Sequence, residues 1–168
     1  DIPQNRLAES AERVVDRAVE EAHRREHALL TNEHICLAFA QVEWDFFGQV
    51  MRDNDLNPHQ FIQALEEHLR MLPASGRELR VAPATKLLFK LALLHASRCG
   101  RHSIEAVDLF SAIFEETQGI PVSILRRQGV EPDMLVTRLA TRMRDQEVRE
   151  ERLKKRFGIG SVCIVADR

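Results

Sequence analysis

The sequence predicts an all-α fold of eight helices, built as two tandem four-helix repeats with pseudo-twofold symmetry. Three observations predict it. First, the apolar skeleton of one half falls on that of the other at a constant offset and without a gap. Val14 and Val15 land on Leu88 and Phe89, Ala18 on Ala92, Ala22 on Ala96, and Leu30 on Ile104; Leu56 and Pro58 land on Val130 and Pro132, and Phe61, Leu65 and Leu69 on Leu135, Leu139 and Met143. Second, Gly and Pro are few and sit at junctions. Third, period-two alternation is scarce outside the C-terminal tail, so the whole chain reads as helix.

Taken in order, residues 7–26 carry Leu7, Ala11, Val14, Val15, Ala18 and Ala22 on one stripe with Glu and Arg opposite, which predicts the opening helix. Thr31 is an N-cap for a second helix through about Val42. A short third helix spans about 45–53. Asn57-Pro58 supplies an N-cap and a Pro at the first helical position, starting a fourth helix that runs to about Met71. Repeat 1 thus covers about 7–71. Residues 72–83, with Pro73, Gly76 and Pro83, form the linker, and repeat 2 follows over about 84–143 as helices at 84–99, 104–116, 120–128 and from Pro132 onward.

Residues 1–143 therefore form the duplicated domain, and 144–168 a charged helical linker with a short tail. The last helix is predicted to continue to Arg156 through a nearly all-charged stretch with opposite-sign pairs such as Glu150 and Lys154. That stretch has no apolar face to bury and reads as a solvated stalk. The tail after it, Gly158 to Val165, has a composition that fits a strand, a disordered end or a cloning remnant alike.

Composition narrows the function classes. A net charge of −2 supplies no global basic field for nucleic acid or an acidic membrane. Basic residues from Arg138 to Arg156 are interleaved with Asp145, Glu147, Glu150 and Glu151, which cancels most of their field. No apolar run approaches the roughly 18 residues of a membrane span, and the N-terminus has no signal-peptide core. Cys36, Cys99 and Cys163 are odd in number and widely spaced, which suits a reducing cytoplasm. A start at Asp1 suggests a piece excised from a longer chain. The sequence contains no Gly-x-x-x-x-Gly-Lys-Ser/Thr motif, so the chain is not expected to hydrolyse ATP itself. No cofactor is expected.

Three constellations have residue types that could carry chemistry. His23 and His27 stand one helical turn apart, with Glu33 and His34 close behind, a spacing that suits a metal. Their equivalents Ser97, Arg101, Val107 and Asp108 form no ligand set, so a polar helix end is the expectation and a small metal hydrolase a distant rival. Glu33, in the first turn after Thr31, serves the helix dipole without needing a ligand. Trp44, Phe46 and Phe47 mark the place where the copies differ most, their counterparts in repeat 2 being Gln118, Ile120 and Pro121. Three rings there either plug the core or leave one exposed to anchor an apolar partner.

The duplicated unit, with "AERVVDRAVEEA", "LTNEHICLAFA" and "LNPHQFIQALEEHL", resembles the N-terminal, double Clp repeat domain of the Clp/Hsp100 AAA+ unfoldases, in their ClpA/ClpC-like form. The resemblance covers about residues 7 to 143 and rests on the paired repeat more than on one motif. It implies a non-catalytic domain that binds unfolded or tagged substrates and adaptor proteins. It also implies that the full-length chain supplies an AAA+ hexamer ring and a Clp peptidase partner, with no nucleic acid or membrane. Glu33 and Lys86 are the ligand-binding residues it suggests, beside Trp44, Phe46 and Phe47. Family members that read phosphoarginine carry a Glu in the second-helix motif of both repeats and Thr near the opening helices. Here the second Glu is Val107 and the Thr positions are Ala8 and Ala82, so the resemblance implies a divergent member that reads phosphoarginine poorly. A stand-alone helical scaffold using the same fold is the rival from another class.

Overall fold

Eight helices follow one another in the computed structural model, which describes residues 6–76 and 78–158. They are α1 (Glu9–Arg24), α2 (Asn32–Val42), α3 (Trp44–Asp53), α4 (Pro58–Met71), α5 (Pro83–Arg98), α6 (Ala106–Glu115), α7 (Ile120–Arg127) and α8 (Pro132–Phe157). Each predicted helix is present, with ends displaced by a residue or two. Asn57 caps α4 by accepting from the backbone of His59 and Gln60, and Pro58 opens that helix. The predicted apolar tail, with Cys163, lies outside the described residues.

The expectation that the whole chain is helix needs one correction. β1 (Leu29–Leu30) pairs in parallel with β2 (Arg80–Val81), inside the segment assigned as a plain linker. Its counterpart is a parallel bridge between Leu7 and Ile104. The two pairings are related by the internal repeat: Ala82 N–H donates to the Leu30 carbonyl at 2.9 Å, and Ala8 N–H donates to that of Ile104 at 2.8 Å. The strand before each opening helix thus pairs with the other repeat's α1–α2 or α5–α6 turn, so each half supplies backbone partners that the other needs.

Packing is also exchanged between halves. α2 and α6 cross at the centre, where Phe39 stacks on Phe110 with centroids 4.4 Å apart. α4 of the first repeat packs against α7 of the second, and α8 of the second against α3 of the first. The α3–α8 seam is polar at its edge. Arg142 grips Asp53 with both arms of its guanidinium (2.7 and 2.9 Å) and reaches Gln49, while Arg138 donates to Asn54 at 2.9 Å. One cluster of apolar side chains runs from Leu7 to Leu139 through both repeats. The halves therefore share a core that neither closes alone.

Four helix ends repeat one device. After α1 and α3, Glu26 and Asp55 take left-handed backbone (φ 57° and 58°); after α5 and α7 the equivalent residues are Gly100 and Gly129 (φ 78° and 88°). In all four, the next residue's N–H reaches back across the last turn: His27 to Ala22, Leu56 to Met51, Arg101 to Ala96 and Val130 to Leu125. This is the Schellman closure, for which Gly is the least strained residue.

Candidate functional site

The starts of α2 and α6 occupy equivalent places and are built alike. In α2 the third helical residue, His34, accepts from the Thr31 backbone N–H at Nδ1 (3.0 Å) and meets the Thr31 hydroxyl at 2.9 Å. In α6 the same position is Asp108, which accepts from the Glu105 backbone N–H (2.8 Å). Both are reciprocal capping boxes. Both side chains are buried, so the rest of their hydrogen-bonding capacity needs partners from the protein.

Those partners differ between repeats. His34 Nδ1 accepts, so its Nε2 carries the proton and donates to Nδ1 of His27, 2.8 Å away. His27 in turn contacts the Leu69 carbonyl near the end of α4. Two neutral imidazoles thus link the start of α2 to α4. Burial, then the neighbouring His27 and Arg25, press His34 down to a pKa of about 4; burial likewise lowers His27. In the second repeat, Asp108 receives His95 Nδ1 at 2.6 Å and both arms of Arg101 at 2.5 and 2.8 Å. Burial pushes the Asp108 carboxyl up, but hydrogen bonds from His95, Arg101 and the Glu105 backbone outweigh it and hold the group below the usual carboxylate range.

Of the residues in that metal spacing, His27, His34 and Glu33 are engaged with other partners. His27 and His34 do meet, but they satisfy one another; His23 stays exposed on α1, and Glu33 turns to His68 of α4 at 3.4 Å. Among the described residues no three His, Cys, Asp or Glu side chains converge as metal ligands. Arg101 and Asp108, read from sequence as carrying no site, form an ion pair in which the carboxylate is buried and the guanidinium half-buried. The signal that would have found it is their register with His27 and His34.

The ligand-binding candidates are spread apart by role. Glu33 is half-buried in its pair with His68, and Lys86 is exposed on α5. Their neighbours touch across the repeats, Thr85 donating to Asn32 at 2.8 Å. Ala8 and Ala82 stand at the N-caps of α1 and α5 and provide no side-chain cap. Phe47 requires a correction: it is fully buried, edge-on to Phe61 and Phe110 at 5.9 and 6.0 Å, so it belongs to the core and not to a docking surface. Phe46 is half-buried against Phe39. Trp44 is the ring left outside, 38% exposed, resting on Phe47 and tilted against His59 at 5.0 Å. The equivalent place in repeat 2 holds a hollow lined by Thr117, Gln118, Gly119, Ser123, Arg126 and Arg127. No described helix is long and apolar enough to cross a membrane.

Comparison with known proteins agrees with this architecture. The sequence model of the Clp repeat (R) N-terminal domain matches residues 6–128. No curated protein matches the chain by sequence. In fold, the chain is similar to the Hsp104 N-terminal domain from Candida albicans, with TM-score 0.70 and 15% identity over 79% of this chain and 88% of that one. It is similar to the N-terminal domain (1-163) of the ClpV1 ATPase from E. coli EAEC Sci1 T6SS, with TM-score 0.63 and 24% identity over 82% and 85%. It is also similar to the N-terminal domain of the chaperone ClpD from Arabidopsis thaliana, with TM-score 0.64 and 17% identity over 83% and 96%.

Proposed function

The chain belongs to the Clp repeat N-terminal domain family, and from that premise we propose that it is a non-catalytic substrate- or adaptor-binding domain of a Clp-type ATP-dependent unfoldase. On this reading it works in the cytoplasm, tethered through α8 to an AAA+ hexamer that feeds a Clp peptidase. Its ligands are unfolded or tagged proteins and the adaptors that deliver them.

The observation that carries the reading is Trp44. It is a large ring exposed where the repeats break symmetry, backed by Phe47 and flanked by His59. Core packing explains Phe47 but gives no reason for Trp44 to face solvent. A rigid, half-supported indole is the side chain that most often anchors an apolar segment in a protein interface. Glu33 and Lys86 would lie at a separate, polar edge of the same domain.

The test is capture of fluorescently labelled casein by the chain and by Trp44→Ser. The variant is expected to keep its helicity and to bind at least about tenfold more weakly, as loss of an aromatic anchor does. Unchanged capture by a folded Trp44→Ser protein would overturn the assignment of this surface.

A further inference from the structure

α5 is apolar on two faces. One face, with Leu88, Phe89, Ala92 and Ala96, is buried in the core. On the opposite side Leu87, Leu91 and Leu94 recur at i, i+4 and i+7; Leu87 is 48% and Leu94 58% exposed, while Leu91 between them is half-buried and touches the core. The equivalent positions on α1 are Arg13, Arg17 and Glu20, which pair with Glu9, Gln41 and one another as a solvated face does. A helix with apolar stripes on two opposite faces is normally covered on both. The duplication supplies an internal control, because the same fold position in the first repeat needs no leucines.

The charges around the stripe select what covers it. Lys86 and Lys90 stand exposed along one edge and, among the described residues, neither makes an ion pair; α5 contains no acidic residue. A second copy of this chain would bring lysines against lysines, so self-pairing through α5 is opposed by charge. We infer that the Leu87–Leu91–Leu94 face of α5 is a second docking surface. Its occupant is an amphipathic helix of another protein that lays an apolar stripe on these leucines and acidic residues along the Lys86–Lys90 edge. This is the helix-on-helix mode read by i, i+4, i+7 anchors. It is separate from the Trp44 surface and does not depend on it.

The experiment uses the full 168-residue chain and two labelled model helices with the same apolar stripe, one edged with Glu and the other with Lys, read by fluorescence anisotropy. The Glu-edged helix is expected to bind at least about tenfold tighter, and Leu87→Glu with Leu94→Glu to weaken it at least about tenfold while the circular dichroism is unchanged. Lys86→Glu with Lys90→Glu should reverse the preference between the two probes, a readout that leaves the leucines untouched. Trp44→Ser should leave the Glu-edged helix's affinity as it was. Equal affinity for both probes, persistence in the leucine variant, or loss in Trp44→Ser would overturn the inference. So would leucine-dependent self-association, or leucine-dependent adsorption to phosphatidylglycerol vesicles stronger than peptide binding. An acidic helix that binds here while casein ignores Trp44 would sink the earlier proposal and leave this one standing.

Discussion

His34 donates to His27 across 2.8 Å at the place where, one repeat later, Asp108 is held by Arg101. One scaffold position is thus served by a neutral pair in one half and a charged pair in the other. The neutral pair is the more sensitive to acid, because protonating His34 removes its Nδ1 as the acceptor for the start of α2.

Stability is therefore expected to fall as pH drops from about 6.5 to about 4. The unfolded chain takes up a proton at the ordinary histidine pKa of 6.5, whereas folded His34 resists until about 4. The stabilisation is complete above that window and lost on descending through it, by roughly 3 kcal/mol. Asp108 and Glu21, whose carboxyls are held low by their partners, add their own loss as pH falls through the ordinary carboxylate range and below it. Urea unfolding across pH would check this: the wild-type slope should flatten in His34→Gln, and a flat wild-type curve over that window would refute it.

Glu26→Gly and Asp55→Gly should each stabilise the protein by about 0.5–1 kcal/mol. Both residues hold left-handed backbone that their equivalents Gly100 and Gly129 adopt without a Cβ. The relief of about 1–2 kcal/mol is partly offset by glycine's greater freedom when unfolded. A rise in Tm for both variants is the expected result, and a fall in either would show that a side-chain contact outweighs the strain.

Most of the helical frame was legible because the 3.6-residue apolar period survives in both copies, as Val14, Ala18 and Ala22 against Leu88, Ala92 and Ala96 illustrate. The parallel pairs at Leu29–Leu30 and Leu7 were not, since two residues carry no period. The buried polar pairs escaped because His27 and His34 become Arg101 and Asp108: the geometry repeats while the chemistry changes. Which of Trp44, Phe46 and Phe47 faced inward depended on the rotation of α3, which a short helix with rings at three of its first four positions does not reveal.

Phe47→Ala should cost about 3–5 kcal/mol, and Leu65→Ala or Leu139→Ala about 2–5 each, the penalties for emptying core sites. All three side chains are buried in a cluster shared by both repeats. Each variant should still unfold in a single transition, because α3–α8 and α4–α7 tie the halves together. Two separated transitions by calorimetry would contradict the shared core.

Free phosphoarginine should bind weakly or not at all. Ala8 and Ala82 bring no hydroxyl to the helix starts, Val107 no carboxylate to a guanidinium, and Glu33 is engaged with His68. Guanidinium donors left unpaired in a site cost about 1–3 kcal/mol. Isothermal titration giving a micromolar constant would reverse this conclusion.

The exchange of α8 onto α3 sets how the domain bears a load. Fourteen residues of α8 extend beyond Met143, about 21 Å of helix at 1.5 Å per residue. Tension applied at Phe157 travels down that rod to Arg142, whose forked grip on Asp53 belongs to the other repeat. The pull is then shared as shear between two interlocked halves and does not peel the second repeat away first. A pull on the far end of α8 is therefore resisted by both repeats together.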